Sequence, residues 1–182
     1  MRIVTRGILA TLAGAGLIVI TLAGCAIPAS PLSSPTPPVI HTPVFASDEE
    51  ALKAATDAYA AYLAMSDTIL ADGGANPERL KEVASGEALV RADADVKVYS
   101  ARKLHATGST HFDSMKIQSY SALLSAYVCE DVSGIDVLDE QGTSLVKPDR
   151  DTRTPFEVGF EVQADGRLLL KQRTLWTGTD FC

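Results

Sequence analysis

The sequence predicts an α+β domain, with helices first and antiparallel strands after. Three observations carry this reading. Up to about residue 105, apolar residues recur at three- and four-residue steps, the period of a helix with one buried face. After Gly108 that period gives way to alternation, most plainly in Phe156-Glu157-Val158-Gly159-Phe160-Glu161-Val162. Short polar links join the alternating runs, and Asp165-Gly166 is a hairpin turn pair. A block of helices followed by a block of strands gathers the helices on one side of the sheet.

Residues 1–24 stand apart from that domain. Met1-Arg2-Ile3-Val4-Thr5-Arg6 carries two arginines and no acid, and an uncharged, mostly apolar run from Gly7 to Ala23 follows. A basic start, a short apolar middle and small residues at the end describe a secretory signal peptide. The run is short for a spanning helix, which needs about 20 apolar residues. Leu22-Ala23-Gly24-Cys25 resembles the lipobox of bacterial lipoproteins. The resemblance implies a diacylglyceryl group, with fatty chains such as palmitate, on the Cys25 sulfur, and cleavage before Cys25. The expected location is the extracytoplasmic face of the cell membrane, where two acyl chains give stable anchoring.

Residues 25–46 hold the lipidated cysteine and a linker in which Pro28, Pro31, Pro35, Pro37, Pro38 and Pro43 alternate with Ser and Thr. Such a composition cannot bury enough apolar surface to offset its ordering entropy and reads as an extended tether.

The single folded domain spans residues 47–182. Ser47-Asp48-Glu49-Glu50 reads as a capping box. A long helix then runs toward Ala71, with Leu52, Ala55, Tyr59, Tyr62, Leu63, Ser66, Ile69 and Leu70 on one face, and Asp72-Gly73-Gly74 stops it. Asn76-Pro77 opens a short second helix ending near Gly86. A third runs from about Glu87 to about His105, with Leu89, Ala92, Val96 and Tyr99 on one side. Strands are expected around Met115–Ser119, over Ser121–Glu130, over Ile135–Leu138, over Phe156–Val162 and from Arg167 to about Trp176.

This order resembles the nuclear transport factor 2-like superfamily, here in an exported lipoprotein of high-GC Gram-positive bacteria. Tyr59 and Tyr62 on the long helix, Asn76-Pro77 and the succession of strands carry the resemblance. It implies three N-terminal helices packed on a strongly curved antiparallel sheet that closes into a cone. It also implies a pocket inside the cone, for whose lining Tyr59, Tyr62, Tyr127 and Trp176 are the candidates.

The formal charge is −7, and loss of Arg2 and Arg6 with the signal segment makes it −9. So acidic a chain is a poor binder of nucleic acid, which requires Lys and Arg against phosphate. Of the three cysteines, lipidation takes Cys25. Cys129 and Cys182 then form either one intramolecular bridge or two buried thiols, and the oxidising exterior favours the bridge.

Catalytic signatures are sparse. No nucleophile elbow, phosphate-binding glycine loop or zinc motif occurs, and no cofactor is implied. His105 and the His111-Phe112-Asp113 run are the candidates for general-base chemistry. Asp93 and Asp95 read as a solvated surface. Asp131, Asp136, Asp139 and Glu140 lack the spacing of a calcium loop. The expected function is a membrane-anchored, non-catalytic module that binds a small hydrophobic ligand or a cell-envelope protein. The alternative is a cofactor-free isomerase, cyclase or hydrolase that uses the pocket.

Overall fold

The computed structural model describes residues 45–120, 123–178 and 181–182. The signal segment, Cys25 and the Pro-rich linker lie outside them. Helix α1 runs Asp48–Ala71. Its start is a reciprocal cap: the Ser47 hydroxyl accepts the Glu50 amide at 3.2 Å, and the Glu50 carboxylate accepts the Ala46 amide at 2.7 Å. Ala51, Ala55, Tyr59, Tyr62, Leu63 and Ile69 form its buried stripe. At its end Gly74 returns its amide to the Ile69 carbonyl at 2.8 Å with φ +85°. A Cβ there would meet Ser100 Oγ at 2.5 Å, so glycine also lets the next helix approach.

The expected second helix is a six-residue 3-10 helix, Pro77–Glu82. It cannot lengthen, because the following residues are drawn to the last strand. Leu170 donates its amide to the Val83 carbonyl at 3.0 Å, and Ser85 donates to Leu170 at 2.8 Å. Helix α2 then spans Gly86–Arg102, burying Ala88, Ala92 and Val96, and ends at Lys103 in the left-handed region.

The strands are β1 (His105–Thr107), β2 (His111–Tyr120), β3 (Leu124–Asp131), β4 (Asp136–Leu138), β5 (Arg153–Val162) and β6 (Leu168–Leu175). They divide into an antiparallel four-stranded sheet, ordered β2-β3-β5-β6, and a separate β1-β4 pair. Three helices packed on one cone-forming sheet is therefore not the architecture. Among the described residues, two α-helices and a 3-10 helix accompany two sheets. The end of the expected third helix is strand β1, and the Ile135–Leu138 strand leaves the main sheet to join it. Gly108, at φ +89° between β1 and β2, lies so close to the Gly134 carbonyl that a Cβ would stand 1.9 Å from it.

Ala126 and Val128 of β3, Val158 and Phe160 of β5 and Leu170 of β6 pack with the α1 stripe to form the core. Register adds one feature that decides the site. Phe160 pairs with Leu170 and Gly159 with Gln172, leaving Lys171 as a bulge. The bulge absorbs one residue, so Leu170 and Arg173, three apart, share the inner face. On the opposite face Cys129 is bonded to Cys182, with Cα atoms 5.5 Å apart. Tyr127 there packs against Trp176 at 4.5 Å, the rings tilted by 44°, and meets Phe181 at 5.8 Å.

Candidate functional site

The inner face of β3 would read Ala126-Val128-residue 130 as an apolar row, yet position 130 is Glu130, 3 % exposed. Burial of a carboxylate demands partners. Arg173, brought inward by the Lys171 bulge, supplies them as a fork: Nε donates to Oε1 at 2.7 Å and Nη2 to Oε2 at 2.5 Å. The Tyr59 hydroxyl, from the most buried turn of α1, also donates to Oε1. Arg173 Nε lies 3.3 Å from the same phenol oxygen, and its guanidinium covers the Phe156 ring at 3.6 Å. Burial and then the Glu130 charge push the Tyr59 phenol well above its ordinary range. Burial acts to lower Arg173, but the hydrogen bonds and charge of Glu130 prevail and hold it above its usual value. Arg173 is thus held in its charged form.

Above this pair lies a cavity of about 210 Å³ between α1, α2 and the sheet. Glu130 and Arg173 form part of its floor. Tyr62, Ser66 and Asp67 of α1 line one wall, and Asp95 and Tyr99 of α2 the other. The i and i+4 spacing of Tyr62 with Ser66, and of Asp95 with Tyr99, puts each pair on one helical face. Asp67 accepts the Thr110 amide at 2.7 Å and its hydroxyl at 2.9 Å, which fixes the start of β2 against the cavity. The Ser66 hydroxyl is buried without a hydrogen-bond partner among the described residues. Partial burial raises the Asp95 carboxyl, and the Arg173 and Arg91 charges oppose that shift. Burial likewise raises the Tyr62 phenol.

The four expected lining residues separate. Tyr59 and Tyr62 stack at 6.2 Å beneath and beside the cavity. Tyr127 and Trp176 lie on the other face of the sheet under the C-terminal tail and line no part of it. The expectation that they share the pocket is corrected by strand alternation: Tyr127 sits one residue from Ala126 and Val128, which point inward. His111 and Asp113 are exposed on edge strand β2. Asp113 is bound by Arg153 at 2.8 Å and by Ser114 at 2.7 Å, so it does not orient a histidine. His105 lies in β1. In the acidic run, Asp139 accepts the Gln141 and Thr143 amides, Asp136 accepts from Ser144, and Glu140 pairs with Lys103. Among the described residues no group of three or more His, Cys, Asp or Glu is arranged to hold a metal ion. Nor is any described helix long and apolar enough to cross a membrane.

The sequence reading missed Glu130, Arg173 and Ser66 as a polar lining group; Asp95, read as solvated surface, is exposed and also borders the cavity. A charged residue in phase with Ala126 and Val128 is a readable signal for Glu130. Nothing local signals Arg173, because its direction depends on the bulge.

No family model matches the chain, and no curated protein matches it. Among solved structures, it is similar to the intermembrane space region of chloroplast protein ARC6, with a TM-score of 0.49 and 13% identity over 70% of this chain and 97% of that one. A de novo designed β-sheet protein aligns with a TM-score of 0.32 and 15% identity, over 70% of this chain and 88% of that one. Neither points to the nuclear transport factor 2-like superfamily or to an exported lipoprotein.

Proposed function

We propose that this chain is an exported lipoprotein, held at the outer face of the cell membrane by the lipid on Cys25, whose domain binds a small ligand without transforming it. The lipobox and the Pro-rich tether support the location. One observation above all supports binding over catalysis. Glu130, the deeply buried carboxylate at the cavity floor, already receives the Arg173 fork and the Tyr59 hydroxyl. A carboxylate so engaged orients and rigidifies, but offers no free base. The competing reading as an isomerase, cyclase or hydrolase needs such a base. Asp95, at the cavity mouth and raised by partial burial, is the group that would supply it.

Two measurements test the proposal. Cys25→Ser removes the acceptor thiol, so the variant should lack the lipid mass and retain its N-terminal segment. Parent-like fractionation with an unchanged N-terminal mass refutes the anchor. A thermal-shift screen of small polar and amphiphilic molecules should find saturable stabilisation, with the bound molecule recovered chemically unchanged. A product whose formation depends on Asp95 would replace the binding module with the enzyme.

A further inference from the structure

The charges and rings around the cavity select among ligand chemistries. Three carboxylates face it, Asp67, Asp95 and Glu130, against one guanidinium, that of Arg173. Arg173 turns Nε and Nη2 to Glu130, so those donors are already taken. An anion would have to displace Glu130 from that fork, or sit beside two further carboxylates with no cation free to meet it. The other cation bearing on Asp95 is Arg91, which also donates to Glu87 at 2.7 Å. Asp95 itself makes no hydrogen bond or ion pair among the described residues.

Two phenol rings, Tyr62 and Tyr99, line facing helices in the same cavity. Aromatic rings beside a carboxylate with no hydrogen bond of its own attract a cation. The volume of about 210 Å³ suits a molecule of a few heavy atoms rather than a lipid or a peptide. The buried Ser66 hydroxyl, beside the Tyr62 phenol, adds a polar group that a ligand hydroxyl can meet.

We infer that the cavity between α1 and α2 binds a small organic ammonium ion, hydroxylated for preference, with Asp95 as its counter-ion and Tyr62 and Tyr99 as its aromatic walls. The inference rests on the binding-module reading and gives that module a ligand class. The cation stands over the paired Glu130–Arg173 floor rather than replacing Arg173 in it. No proton or bond changes hands.

Isothermal titration calorimetry on the detergent-solubilised full chain tests this with two probes. One is choline chloride; the other is its neutral isostere, in which a quaternary carbon replaces the nitrogen. Choline should bind saturably and the isostere at least about tenfold more weakly. Asp95→Asn, at an exposed position that tolerates the change, should weaken choline by about tenfold and leave the isostere unaffected. Tyr99→Ala should weaken choline by a further few-fold with the far-UV spectrum unchanged. Equal binding of both probes overturns the charge selection but leaves a ligand-binding module standing. Binding of neither probe overturns the inference, and the thermal-shift screen then judges the module independently. Choline binding insensitive to Asp95→Asn also overturns it, because the cation would then lie elsewhere.

Discussion

Removing Arg173 is the sharpest perturbation of this molecule. Arg173→Met keeps much of the side-chain volume over Phe156 and deletes the fork. Glu130, whose side chain is 4% exposed, would be left with Tyr59 as its donor. An uncompensated buried carboxylate costs about 3–5 kcal/mol, the measured range for breaking one side of a buried pair. Loss of the cation–ring contact with Phe156 adds about 0.5–2 kcal/mol. Against a total stability of about 5–15 kcal/mol, such a loss endangers the fold. The double variant Glu130→Gln with Arg173→Met separates the causes. It removes the stranded charge and should restore at least about 2 kcal/mol relative to Arg173→Met. Urea unfolding followed by far-UV circular dichroism at neutral pH measures both, with the m-value checked for constancy. A loss under about 1 kcal/mol for Arg173→Met, or strict additivity in the double variant, refutes the argument that Glu130 is buried on the strength of Arg173.

Two further outcomes follow from the backbone and the covalent link. Reduction of Cys129–Cys182 frees a loop with a sequence separation of 53, which on chain-entropy grounds lowers stability by about 4 kcal/mol. Fluorescence of Trp176, the single tryptophan, should change early in that transition, and two free thiols in the unfolded, unreduced chain would show that no bridge exists. Gly108→Ala should destabilise by at least about 1–3 kcal/mol, since the new Cβ meets the Gly134 carbonyl at a positive φ. A urea midpoint equal to the parent's would show that the turn relaxes freely.

How much of this was legible in the sequence depends on how local each cause is. Helix α1 could be read because Ser47, Glu50 and Gly73-Gly74 act within a turn of the residues they cap or stop. The Pro77 segment could not, because its length is set by Leu170, nearly a hundred residues later, which takes the backbone of Val83 and Ser85. Strand β1 has three residues, too few for alternation to register, whereas β4 was legible over Ile135–Leu138 and only its pairing with β1 was not. The wrong grouping of the four aromatic residues has one origin. Tyr127 was assigned by residue type rather than by its phase with Ala126 and Val128. Arg173 lay beyond any reading of period, because a single bulged lysine resets the count.

The bond at Cys182 also sets the path of mechanical load. Consider a pull applied between the start of α1 and Cys182. Force arriving at Cys182 crosses the sulfurs to Cys129 and enters the sheet at β3, which is flanked by β2 and β5. The β5-β6 hairpin lies inside the covalent loop and carries none of it. Under pull, Arg173 therefore stays on a strand that is not stretched, while its partner Glu130 sits beside the loaded anchor point. In a single-molecule experiment the oxidised domain should lengthen only by the chain ahead of Cys129, and the remainder should extend only after reductant is added.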